Sequence, residues 1–128
     1  MDLKEYFENA KGVGVLATAD ADGKVNVAIY SRPHFLDPDD DTMAAFIMNE
    51  RLSYENVQAN PNAAYLFVEE GDGYVGKRLT MTKAKEEDDQ EKIKHLRRRN
   101  LPNECYEGKP QHLVHFRIDV VRPLIGTE

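Results

Sequence analysis

The sequence predicts a mainly β domain of the α+β class: six antiparallel strands closed or nearly closed into a barrel, with helices at its periphery. Three observations lead there. Short apolar runs with strict alternation recur between turn residues, the connections hold few crossover helices, and the elements read in the order αβββαββαβ.

The elements follow one by one. Leu3, Tyr6, Phe7 and Ala10 fall at i, i+3, i+4 and i+7, with Asp2 and Glu5 in capping-box spacing and Gly12 placed to end the turn. They predict a short amphipathic helix over residues 2–11. Val13 to Thr18 is apolar and partly β-branched, Ala19-Asp20-Ala21-Asp22-Gly23 is turn chemistry, and Val25, Val27 and Ile29 then alternate with Asn26, Ala28 and Tyr30. That pattern is a hairpin. Pro33 donates nothing to a ladder, so the chain should bend near Ser31-Arg32-Pro33 before Phe35 and Leu36 continue. After a solvated turn of aspartates at 37–41, Thr42 to Met48 reads as a strand. Ser53 is placed to cap a helix carrying Tyr54 and Val57 and ended by Asn60-Pro61, and Ala63 to Val68 restores the strand pattern.

Gly71-Asp72-Gly73-Tyr74-Val75-Gly76 spells GxGxxG. A dinucleotide-binding turn needs its third glycine at a helix start, whereas Arg78, Thr80 and Thr82 alternate with Leu79 and Met81. A glycine-rich turn feeding a long strand is the better reading. Acids at 86–91 followed by Lys92, Lys94 and Arg97-Arg98-Arg99 suit a helix macrodipole, which predicts a surface helix from about Asp88 to Asn100. Its thin stripe of Ile93 and Leu96 would lie on the outside, facing solvent or a partner subunit. After a loop over 101–110, His112 to Val121 alternates again up to Pro123.

Length and composition bound the function. With 128 residues, 41% of them hydrophobic, the chain makes one domain, 1–128, with an ordinary core. A net charge of -6 argues against a general nucleic-acid binder. One cysteine, Cys105, precludes an internal disulfide and fits a reducing cytosol, where it reads as a bystander thiol. No window approaches the ~18 apolar residues of a spanning helix, so a soluble, cytoplasmic protein with no membrane partner is expected. His112 and His115 form HxxH, but strand residues three apart point to opposite faces, and no metal site is expected from them. The acidic clusters lack the loop of a calcium site and read as solvated faces. Arg51 and Ser53 matter more: where a strand ends and a helix begins, a guanidinium and a hydroxyl beside unpaired N–H groups can receive a phosphate.

Gly14-Val15-Leu16-Ala17-Thr18, the Asp22-Gly23 turn with Val25-Asn26-Val27, Ser53 to Pro61, and Ala63-Ala64-Tyr65-Leu66-Phe67 together resemble the pyridoxamine 5'-phosphate oxidase-like, FMN-binding split-barrel family over residues 4–122. The helix ending in Asn60-Pro61 and running straight into an apolar strand is the most specific piece. The resemblance implies a homodimer holding FMN near the subunit interface, with the ring along the second and third strands. Ile29, Tyr30, Ser31 and Arg32 would border the flavin, Met48 and Asn49 would follow it, and Arg51 with Ser53 would meet the phosphate. Leu52 stands where many relatives are basic, so the phosphate site would be weaker or would recruit Arg32 or Arg78. The oxidases that make pyridoxal phosphate carry a longer C-terminal part with basic residues, which argues against vitamin B6 oxidation. The resemblance thus implies a small flavin-dependent oxidoreductase acting with a small-molecule redox substrate or electron donor. The competing class is a non-enzymatic barrel that holds a flavin or another ligand for storage or electron transfer.

Overall fold

A computed structural model of the chain describes residues 2–97 and 110–126. Its elements are α1 (Leu3–Asn9), β1 (Gly12–Ala19), β2 (Val25–Ile29), β3 (Met43–Met48), α2 (Leu52–Ala59), β4 (Asn62–Glu69), β5 (Gly76–Glu87), α3 (Gln90–Leu96) and β6 (His112–Pro123). Their order is the one the alternation predicts. The strands form one sheet in the order β2-β1-β4-β5-β6-β3, every neighbouring pair antiparallel.

Local chemistry explains most boundaries. Asp2 caps α1 by accepting the amide of Glu5. In the first hairpin Asp20 Oδ1 accepts the amides of Asp22 and Lys24, and Gly23 supplies the positive φ of +85° that the turn needs. Asn60 ends α2 and launches β4: its side chain accepts the amide of Asn62 and donates to the carbonyl of Asp20. Gly71 to Val75 is a run of bends and coil, and Gly76 begins β5, so the glycine run feeds a strand and not a helix.

The sheet curls because β5 and β6 are long and their register slips between Thr80 and Met81 and again between Lys83 and Lys85, which bends the pair. The curl brings β3 towards β2 without pairing the two strands. Beyond Pro33 the chain does touch β3 once, through mutual backbone hydrogen bonds of 2.8 Å between His34 and Ala45. The result is a six-stranded antiparallel split barrel, open between β2 and β3 and tied at one bridge.

Leu16, Phe46, Tyr65, Phe67, Leu79, Met81 and Phe116 fill the inside of the curl, and α1 closes one end with Leu3 and Phe7. Aromatic edges meet faces there, as in Phe7 against Phe67 at 5.5 Å and Phe46 against Phe116 at 5.8 Å. α3 departs from expectation. It is shorter than predicted, is capped by Asp89, and buries Ile93 completely against Ala45 and Leu113 of its own chain. Burying an isoleucine stabilises by about 1.5 to 3 kcal/mol, which helps to hold the short helix on the sheet. The expected continuation of that helix through Arg98 and Arg99 to Asn100, most of the following loop, and Cys105 lie outside the described residues. No helix among the described residues is long and apolar enough to cross a membrane.

Candidate functional site

The split between β2 and β3 opens into a cavity of about 480 Å³. β2 and the residues after it supply one wall, with Ile29, Tyr30, Ser31 and Arg32. The β3–α2 loop supplies the other, with Asn49, Arg51, Leu52 and Ser53. Seven of the residues expected around a ligand are therefore brought together. Two are not. Met48 points into the core and is fully buried, because the inward set of β3 includes it while Ile47 faces the cavity. Arg78 lies on the outer face of the sheet, where its Nε donates to the carbonyl of Pro123 and it lines a second, smaller cavity with Val15, Val27 and Leu66.

The start of α2 is built differently from the sequence reading. Arg51, not Ser53, is the N-cap residue, and no side-chain oxygen caps the helix. Ser53 sits one residue inside the first turn and is 3% exposed, with its Oγ 3.4 Å from the amide nitrogen of Asn26 on β2. An uncapped helix start thus faces the cavity with its N–H groups and partial positive charge, and Arg51 adds a full charge beside it. Tyr30 is next to both: burial pushes its phenol above the ordinary range, while a hydrogen bond with Ser53 and the charge of Arg51 act in the opposite direction.

Arg32 lines the cavity but sends its guanidinium to the last carbonyls of α1, those of Phe7, Glu8 and Ala10. Arg97 reaches the same cavity from the end of α3. Its Nε donates to Gln111 Oε1 at 2.9 Å, and Gln111 in turn donates to Asn49 Oδ1 at 3.0 Å. Arg97 and Gln111 escaped the sequence reading, since Arg97 looks like an ordinary dipole-compensating residue and its contacts are tertiary. Among the described residues, three arginines and no carboxylate line the cavity, in a chain whose net charge is -6.

One wall is fixed from behind. The Tyr65 hydroxyl donates to the Tyr30 carbonyl at 3.1 Å, and it fits because Gly14 has no side chain: a Cβ there would lie 1.7 Å from that oxygen.

The acids of 86–91 are not merely solvated. His112 Nδ1 lies 2.5 Å from Asp88 and its Nε2 2.8 Å from Glu50, while His115 meets Glu87. The two histidines thus engage separate carboxylates. Glu86 is held by Lys83, Gln58 and Tyr54, whose hydrogen bonds outweigh the opposing effect of burial and draw its carboxyl down to about 2. Donor atoms of Glu86, Asp88 and His112 lie within 4.8 Å of one another, but Lys83 already supplies a cation to Glu86 and both ring nitrogens already face carboxylates.

Comparison with known proteins agrees with this architecture. The family model for pyridoxamine 5'-phosphate oxidase matches residues 3–123. No curated protein matches the sequence significantly. Among solved structures, an FMN-binding protein from Syntrophomonas wolfei is similar with a TM-score of 0.76 at 14% identity, over 99% of this chain and 86% of that one. HupZ from Group A Streptococcus is similar with a TM-score of 0.69 at 18% identity, over 95% and 90%. An FAD-binding protein from Mesorhizobium loti is similar with a TM-score of 0.59 at 21% identity, over 91% and 86%. These likenesses establish a shared fold, and the family match spans nearly the whole chain. The chain belongs to the pyridoxamine 5'-phosphate oxidase family.

Proposed function

We propose that the chain is a flavoprotein that binds FMN in the cavity between β2 and the β3–α2 loop, as a small flavin-dependent oxidoreductase. The observation that carries this is the uncapped start of α2 with Arg51 on it, in a cavity whose described lining holds arginines and no carboxylate. Such a place favours a phosphate monoester over a neutral ligand. The cavity volume lies within the ~300 to 1,000 Å³ usual for small-molecule sites. When bound, FMN supplies the electron-transfer chemistry, and the protein's task is to hold the ring and tune it by hydrogen bonds.

A homodimer is part of the proposal. Val25, Val27 and Ile29 are 77%, 65% and 68% exposed, and the neighbouring outer face carries Val15, Ala17 and Leu66. A contiguous apolar sheet face of this kind is a surface for a partner. Val27 borders both this face and the FMN cavity, so a second copy seated on it would wall the ligand.

Titration of the purified protein with FMN and with riboflavin, followed by flavin fluorescence, tests the reading. Tighter binding of FMN than of riboflavin is expected. Equal affinities, or binding of neither, overturn it.

A further inference from the structure

His112 does not line the cavity, yet it touches the segment that does. It opens β6, is 7% exposed, and stacks on the Tyr54 ring of α2 at 4.3 Å and 9°. Its Nδ1 faces Asp88, in the turn between β5 and α3, and its Nε2 faces Glu50 in the β3–α2 loop. A neutral imidazole has one N–H and can donate to one carboxylate; the protonated ring donates to both. Nδ1 faces two carboxylates, Asp88 at 2.5 Å and Glu86 at 3.7 Å, and Nε2 faces Glu50, so the single proton of the neutral ring is drawn to Nδ1 and Glu50 is the partner that loses its donor. Glu50 stands between Asn49 and Arg51, which both line the cavity, and the Arg51 amide donates to the Asn49 carbonyl at 2.8 Å.

We infer that protonated His112 is a positioning residue for the phosphate-binding loop, acting through Glu50 to hold the 49–53 segment in the shape that receives an anion. This rests on the FMN reading above and adds its regulation.

Among the described residues, the charged and titratable groups that face the ring come from β5, the β5–α3 turn, the β3–α2 loop and α2. Glu86 of β5 lies 3.7 Å from Nδ1 and is itself neutralised by Lys83, Asp88 and Glu50 are the two acceptors, and Tyr54 keeps its proton because burial and the bond to Glu86 raise its phenol. Burial pulls the imidazole down, but hydrogen bonds to Asp88 and Glu50, with their charges, outweigh it and leave His112 above its ordinary value. The sign follows from that. The clamp is fully present below the ordinary value of 6.5 and is lost as pH rises through the raised one. Anion affinity should fall in the alkaline direction.

The test measures the dissociation constants of FMN and riboflavin from pH 6.5 to 9 for the wild type and Glu50→Gln. Over that range a phosphate monoester, with a second pKa of about 6, is already mostly dianionic, so its own titration contributes little. FMN should weaken about fivefold in the wild type, the low end of coupling between two sites, and riboflavin should not change. Glu50→Gln should bind FMN weakly at every pH. A flat wild-type profile, or a variant that keeps the wild-type slope, overturns the inference. If neither flavin binds, the FMN reading fails separately, and the clamp is judged on the free protein by NMR. The His112 ring and the amides of residues 49–53 must then titrate together above pH 6.5, with a midpoint that Glu50→Gln lowers. Independent titration refutes it.

Discussion

Gly14→Ala places a methyl group where the structure has no room, and its cost can be worked out. The new Cβ would lie 1.7 Å from Tyr65 Oη, 2.3 Å from Tyr65 Cζ and 2.7 Å from the Tyr30 carbonyl oxygen. Tyr65 cannot simply retreat: it is 1% exposed, and its ring packs at 5.0 Å from Phe46 and 6.2 Å from Phe7. Overpacking a core of this kind costs about 1 to 3 kcal/mol. Expelling the hydroxyl also breaks its bond to the Tyr30 carbonyl, and an unsatisfied buried partner costs about 1 to 3 kcal/mol more. The sum is roughly 4 kcal/mol, or a fall in Tm of about 10 to 15 °C for a domain of this size. Urea and thermal denaturation of Gly14→Ala, Tyr65→Phe and the double variant measure it. Removing the hydroxyl removes the closest clash, so the double variant should be more stable than the two single losses predict when added, by about 1 kcal/mol or more. Strict additivity, or a Gly14→Ala protein that melts with the wild type, would refute the claim that Gly14 exists to admit Tyr65.

Two further outcomes are expected. Arg51→Ala should weaken FMN about 10- to 100-fold, since a charge-assisted hydrogen bond is worth ~1.5 to 3 kcal/mol at ~1.4 kcal/mol per decade. Riboflavin should be unaffected, and Arg117→Ala, an exposed arginine paired with Asp119, should change FMN affinity less than twofold; equal small losses would move the phosphate towards Arg97. Analytical ultracentrifugation of the wild type should give twice the 14.6 kDa chain mass, and Val25→Asp should give the monomer with weaker FMN binding, because a carboxylate on that exposed position, away from the cavity, burdens an apolar interface and not the isolated chain. A monomeric wild type contradicts the dimer.

The strands were legible because alternation is a local signal, and the turns because Asp-Gly and Asn-Pro act on their own backbone. What alternation could not tell is which way a strand faces. In β2 the apolar set Val25, Val27 and Ile29 is exposed, with Val27 and Ile29 at the cavity, while Asn26, Ala28 and Tyr30 are half-buried and line the cavity too. A period of two fixes the division into faces, and only the tertiary partners fix their destination. The same limit hid the start of α2. Ser53 has the chemistry of a cap, but Arg51 takes the cap position and the serine is drawn inward beside Asn26. His112 was opaque for a simpler reason: its acceptors, Asp88 and Glu50, stand 24 and 62 residues away in the chain.

The split itself links fold to proposed function. A sheet that closes has no free edge, and this one stops one pairing short: β2 and β3 end the hydrogen-bond order, and the backbone bridge between them among the described residues is made beyond β2, by His34 to Ala45. Each of those edges leaves backbone N–H and C=O groups without a strand partner, a liability that proteins normally cover. Here the unpaired stretch is where the cavity opens, and the same stretch is flanked by the cationic start of α2. A flat heterocycle with both donors and acceptors on its rim can satisfy two such edges at once, while an anionic tail reaches the helix. A neutral flat molecule would meet the edges and leave the helix start and Arg51 unused, and a simple phosphate would do the reverse. A ligand that carries both parts, as the proposed FMN does, would engage the open edges and the cationic helix start together.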